Sequence, residues 1–189
     1  MRLPTVSIRP ARQGGHAAVE FGLVAIVFFS FVFGALEIAR GAYLWSTLTQ
    51  VTNRAARGAA MTNPADAAAM AQVRRNAMFG NSSGRLALGG AIDDSYLHID
   101  YLARDGATVV TVLPPCPVQN IANCNSDPNG SSCIRFVRVS LCRPNTNCDQ
   151  VPYIPLAGVG GLTAFNFDMP RFTTVVAAQT LGLPAACTP

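Results

Sequence analysis

Ala17 to Leu36 is a run of 20 residues with a single ionisable group, Glu20. As a helix rising 1.5 Å per residue it spans about 30 Å, the thickness of a bilayer's hydrocarbon core. No other stretch limits the fold as tightly. A helix of this composition either crosses a membrane or has to be wrapped by protein. A carboxylate in such a run is costly, on the order of 2.5–3.5 kcal/mol at mid-span and less near an end, and it usually marks function.

The flanks set a direction. Arg2, Arg9 and Arg12 precede the run, whereas Glu37 and Arg40 follow it and no further Lys or Arg comes before Arg54. The positive-inside rule predicts a cytoplasmic N-terminus and a C-terminal domain outside. The run exceeds the about 7–15 apolar residues of a secretory signal, and Gly34 to Arg40 offers no Ala-x-Ala site. An uncleaved signal anchor is the plainest reading of that pattern.

The chain has 189 residues, which leaves room for one modest outer domain of roughly 100–130 residues. Its net charge of +4 comes from scattered arginines without interleaved aromatics, which argues against a nucleic-acid partner.

Past the run, Leu44, Leu48, Val51, Ala55 and Ala59 recur at helical spacing, opposite Ser46, Gln50, Asn53, Arg54 and Arg57. This predicts that the helix leaves the membrane unbroken and packs its apolar face on the outer domain. Tyr43 and Trp45 stand where interface aromatics belong. Asn63-Pro64 ends this helix and predicts the start of a second, with Asn63 as N-cap, Pro64 first and Asp66 third, running to about Phe79 and stopping at Gly80. Residues 80–90 read as a flexible connection. Then the period changes to two. Tyr96 to Ala103 alternates with Leu97, Ile99 and Tyr101 on one face, Asp105-Gly106 signals a type I′ hairpin, and Ala107 to Leu113 reads as the returning strand. Ile134 to Leu141 is a further strand, Pro155 to Gly161 is turn-rich, and Arg171 to Thr180 reads as a last strand in preference to a short helix. The expected class is α+β: a long N-terminal helix against a small antiparallel sheet.

All six cysteines, Cys116, Cys124, Cys133, Cys142, Cys148 and Cys187, lie beyond residue 115. An even count outside the span points to disulfides in an oxidising compartment, with the connectivity open. Residues 116–133 read as a surface loop pinned by such bonds, and 143–151 as another polar, cysteine-bearing loop. There is no Cys-x-x-Cys, and the histidines are His16 and His98, so no metal site is expected. Nor is there a Gly-x-Ser-x-Gly, a phosphate-binding loop or a Gly-x-Gly-x-x-Gly, so neither catalytic nor cofactor-binding residues are expected. His98 and Asp100 share a strand face and read as solvent-facing polar residues, and Asp93-Asp94 as a turn or helix cap.

The N-terminal pattern carries a resemblance. A basic leader ends in Gly15, Glu20 is the fifth residue after it, and the apolar helix follows at once. This resembles the signal of type IV prepilins, which a prepilin peptidase cuts after glycine on the cytoplasmic side. The longer stretch Ala17-Ala18-Val19-Glu20-Phe21-Gly22-Leu23-Val24, with Glu37, Arg40 and Arg54-Ala55-Ala56-Arg57-Gly58-Ala59-Ala60, resembles TadE/TadG-like pseudopilins of tight-adherence pili over roughly residues 12–60. His16 departs from the usual apolar first residue, and Gly14 offers an alternative cut that would put Glu20 sixth.

The resemblance implies a leader at 1–15, a long transmembrane and amphipathic helix at 16–62, and a periplasmic domain at 63–189. It implies processing between Gly15 and His16, assembly roles for Glu20 and Phe21, and single-pass anchoring in a bacterial inner membrane. The implied partners are the membrane, the peptidase, other pilins or pseudopilins and the assembly platform. Ala18, Gly22, Ser30 and Gly34 are candidate helix-packing positions, since small residues let another helix approach. The alternative is an unprocessed, signal-anchored periplasmic interaction module of another envelope system.

Overall fold

The computed structural model describes residues 15–79, 84–155 and 168–183. The leader with Arg2, Arg9, Arg12 and Gly14, the expected helix stop at Gly80, most of the turn-rich 155–161 stretch and Cys187 lie outside the described residues. The fold is α+β. Helix α1 runs His16–Ala60 over 45 residues, α2 Ala67–Ala77 and α3 Pro117–Ser126, and the strands are β1 Leu97–Leu102, β2 Phe136–Leu141 and β3 Thr173–Ala177. The chain divides between Ala39 and Arg40, inside α1, into two units.

The second unit holds the core. From Leu44 on, α1 buries the face its periodicity marks: Leu44, Leu48, Val51, Ala55 and Ala59 are closed off, with Leu48 0 % exposed. Gly58 is what lets α2 come close, because a Cβ there would meet Val73 Cγ1 at 2.9 Å. The Ala60 carbonyl, left open where the helix ends, accepts from the Leu181 amide at 3.1 Å.

The sheet is antiparallel in the order β1-β2-β3. Leu97, Ile99 and Tyr101 face Leu141, Val139 and Val137 across the β1–β2 register and, with the α1 residues, belong to one apolar core. Strand β3 reaches α1 directly, Thr174 Oγ1 donating to Thr52 Oγ1 at 3.1 Å. Burial pushes the Tyr101 hydroxyl up to about 12, with Arg74 pulling the other way; that hydroxyl donates to Met70 Sδ of α2 at 3.4 Å.

Several expectations are corrected. Helix α2 starts later: its N-cap is Asp66, whose carboxylate accepts from Ala69 N at 2.9 Å. Asn63 instead folds a turn, accepting from Ala65 N, and Pro64 belongs to that turn. Residues 84–93 are tied, not loose: Arg85 bridges Asp93 and Leu86 N donates to Ile92 O at 3.0 Å. The Asp105-Gly106 turn is not type I′, since neither Arg104 nor Asp105 has positive φ while Gly106 has +68°. Asp105 accepts from the Thr108 hydroxyl and from the Ala107 and Thr108 amides. These bonds, the Thr108 hydroxyl foremost, hold its carboxyl below the usual range. They also favour a wider loop closed by Ala103 N on Thr108 O at 2.9 Å. The return is one bridge, Leu102 to Val109, rather than a strand over 107–113.

Residues 116–133 are not merely loop, because Pro117–Ser126 is helical. Its buried side is Pro117, Asn120 and Cys124. Asn120 accepts from Ile134 N at 2.9 Å and donates to Ile134 O at 3.3 Å, so a polar residue faces inward with its hydrogen bonds made. Cys124 pairs with Cys133, and Cys142 with Cys148, the second closing the 143–151 loop. Cys116 is disulfide-bonded as well, and no described cysteine is free.

Candidate functional site

The functional signal of the sequence lies in the first part of α1. The helix starts at His16, and the Gly15 carbonyl accepts from Val19 N at 3.2 Å, which makes Gly15 its N-cap. The Gly15–His16 peptide therefore coincides with the entry to the helix. A Cβ at Gly15 would meet nothing within 4 Å.

Glu20 stands just over one turn in, exposed, beside Phe21, which is 75 % exposed. From Val19 to Ile38 the side chains point outward on every side: Leu23, Val24, Ile26, Phe28, Phe31 and Phe33 are all exposed. This helix is long and apolar enough to cross a membrane, and its most apolar window is almost wholly unburied. A folded domain's core helix would be covered by its own chain, and the described residues do not cover this one. So large an apolar surface needs lipid or other chains around it. Ser30 fits such surroundings, because its hydroxyl donates to Ile26 O at 2.7 Å and leaves no donor open.

Ala18, Gly22, Ser30 and Gly34 are exposed or half-exposed, and a Cβ on Gly22 or Gly34 would meet nothing within 4 Å. The structure does not gather the four on one face. Ala18 and Gly22 share a face, as do Ser30 and Gly34, but twelve residues of helix turn the second pair about 120° from the first. A close-packed neighbour would meet one pair or the other.

In the outer unit, polar side chains meet on the open face of the sheet. Asp100 Oδ1 lies 3.0 Å from His98 Nε2, and Asp100 Oδ2 accepts from Arg138 at 2.7 and 3.1 Å. His98 is exposed; Ser140 stands opposite it across the β1–β2 register, but its hydroxyl is paired with that of Thr173 at 3.2 Å. Asp93 caps the short 3-10 turn Asp94–Tyr96 by accepting from Ser95 N. Among the described residues no group of His, Cys, Asp and Glu is placed to hold a metal.

Sequence reasoning counted Arg40 among the flanking charges and in the resemblance but gave it no packing role. It is the first residue of the second unit and only 8 % exposed. Its Nε donates to Leu88 O at 3.1 Å, and Nη1 to Ile154 O at 2.8 Å and the Tyr153 hydroxyl at 3.2 Å. The guanidinium also lies 5.0 Å from the Tyr153 ring centroid. The available signal was an arginine a single turn past an apolar run.

No curated protein and no solved structure matches this chain. One family model does match, on the stretch that carries the exposed apolar helix, Gly15 and Glu20. Residues 15–57 match the family model described as TadE-like protein.

Proposed function

We propose that this chain is a minor pilin or pseudopilin serving assembly of a tight-adherence type IV pilus. It acts structurally rather than catalytically. In this reading residues 1–15 are a leader that a prepilin peptidase removes after Gly15. The apolar part of α1 then holds the protein in a bacterial inner membrane, its N-terminus cytoplasmic and the remainder periplasmic. There it meets other pilins or pseudopilins and the assembly platform. The observation that carries the proposal is the TadE-like match over residues 15–57, because it takes in Gly15, Glu20 and the apolar run together.

Glu20 is the residue this function turns on. A carboxylate in hydrocarbon is expensive without a positive partner. Cutting after Gly15 creates such a partner, the free amine at His16. On a neighbouring subunit that amine can pair with Glu20, which links processing to assembly. The test is Glu20→Leu. The variant should insert in the membrane at least as well as the parent and still be cut. It should nevertheless fail to co-purify with pilus-machine components or to support pili, and Glu20→Asp should be intermediate. Normal pili from Glu20→Leu would leave the carboxylate without an assembly role and favour an unprocessed anchor of another envelope system.

A further inference from the structure

Two exposed apolar side chains of the second unit are tied to the residue at its start, Arg40. Leu88 and Ile154 are each 57 % exposed. They come from segments far apart in sequence, yet both backbones are held by one side chain, the Arg40 guanidinium, through their carbonyls at 3.1 and 2.8 Å. Leu88 is doubly out of place. It is the third residue of a turn closed by Gly89 N on Leu86 O at 3.0 Å, with φ at +58°, where Gly or Asn is the usual occupant. A branched residue there keeps an apolar group at the tip of the turn despite an unfavourable backbone.

Chain connection alone says what lies nearby. Arg40 follows Leu36 by four residues of continuous helix, about 6 Å of rise. The polar zone flanking a bilayer's hydrocarbon is about 5–7 Å deep on each side. If the apolar run spans the membrane, Arg40 enters that zone on the same helix.

We infer that Leu88 and Ile154, clamped by Arg40, form an apolar foot that inserts into the headgroup–acyl boundary of the bilayer. The foot would fix the outer domain on the lipid surface. Its occupant is lipid: the residues are apolar and protruding, and the anchoring run reaches the same level within about one helical turn. The inference rests on the membrane reading of α1, and the experiment separates the two.

The full chain contains one tryptophan, Trp45. In a Trp45→Phe background, Leu88→Trp and Ile154→Trp are made as separate reporters, and Leu23→Trp as a reporter within the run. Val112→Trp serves as the remote control. Val112 is exposed and close in sequence to Pro115, whose carbonyl accepts from Asn63 beyond the far end of α1. Each protein is reconstituted in phosphatidylcholine–phosphatidylglycerol vesicles carrying bromine at shallow or deep acyl positions. The Leu88 and Ile154 reporters should be quenched about twofold more by shallow than by deep bromine, as fits shallow burial. Leu23→Trp should respond to deep bromine, and Val112→Trp to neither. Quenching at Leu23→Trp alone would overturn the foot and leave the membrane anchor standing, as would quenching at only one of the two foot positions. No quenching at Leu23→Trp would overturn both.

Discussion

Helix α1 is one element with two kinds of surface. From Val19 to Ile38 it exposes phenylalanines and aliphatics all around, while from Leu44 to Ala60 it hides one face in a core and shows polar residues on the other. Hydrogen bonding along the backbone is the same in both halves, so helix formation does not distinguish them. The difference lies in which medium the side chains fit. An all-round apolar surface is stable only in lipid or against other apolar chains, whereas a one-sided surface is satisfied by the chain's own outer domain. A single helix can thus join two solvents without a break.

The sharpest way to break this comparison is to remove the same group from each half. Leu48→Ala should destabilise the outer domain by about 2–5 kcal/mol, because Leu48 is fully buried and the cavity has no filler. Leu23→Ala, in the exposed half, should change it by under about 0.5 kcal/mol. Denaturant unfolding in detergent, followed through near-UV dichroism, measures both. Equal losses would mean that the outer domain also wraps the first half.

Legibility followed the same division. The amphipathic half, the α+β class and strands β1 and β2 could be read because apolar residues recur there at periods of 3.6 or two; Thr173–Ala177 lacks that alternation, which left strand and short helix both open there. Helix α3 could not, since Val118 and Ile121 are exposed while Asn120 and Cys124 face inward. Its usable signals were Pro117 at the first helical position and the inward spacing of Asn120 and Cys124. The α2 cap was misplaced because Asn63-Pro64 and Asp66 each carry cap chemistry, and only the fold decides which side chain meets a helix amide. The Asp105 turn was misjudged because its carboxylate, rather than positive φ at its own residue, organises the loop. Of the site, Gly15, Glu20 and the apolar run were visible in the sequence. The Arg40 clamp was not, since it depends on carbonyls brought together from residues 88 and 154.

The next effects sharpen the contrast from within the outer domain. Replacing Cys124 and Cys133 by serine should cost about 2–3 kcal/mol, the value of closing a loop of nine residues' separation. Removing Cys142–Cys148 should cost slightly less, its loop being shorter. Urea midpoints test the order, and the parent should show no labelled thiol without reductant.

Tyr101 gives an alkaline effect of about 2–3 kcal/mol. Its folded value of about 12 stands above the unfolded 10.0. The favourable contribution is therefore whole below pH 10 and is lost as pH rises through about 12. Tyr101→Phe should flatten that part of the stability–pH curve, and an unchanged slope would contradict the assignment to Tyr101.

The smallest effect on stability belongs to Gly22→Leu, expected within about 0.5 kcal/mol for the outer domain, because nothing lies within 4 Å of its Cβ position. The same variant should weaken recovery of partner chains if a neighbouring helix packs there, read by co-purification from crosslinked membranes.

In the proposed function the exposed half of α1 becomes a pilin-type membrane helix by losing its leader at the helix entry. Intact-mass measurement of the protein from membranes of a cell with an active prepilin peptidase tests this most directly. The prediction is a chain beginning at His16, and for Gly15→Val, which the open space around Gly15 tolerates, an uncut chain. A parent chain that retains residues 1–15 would contradict it.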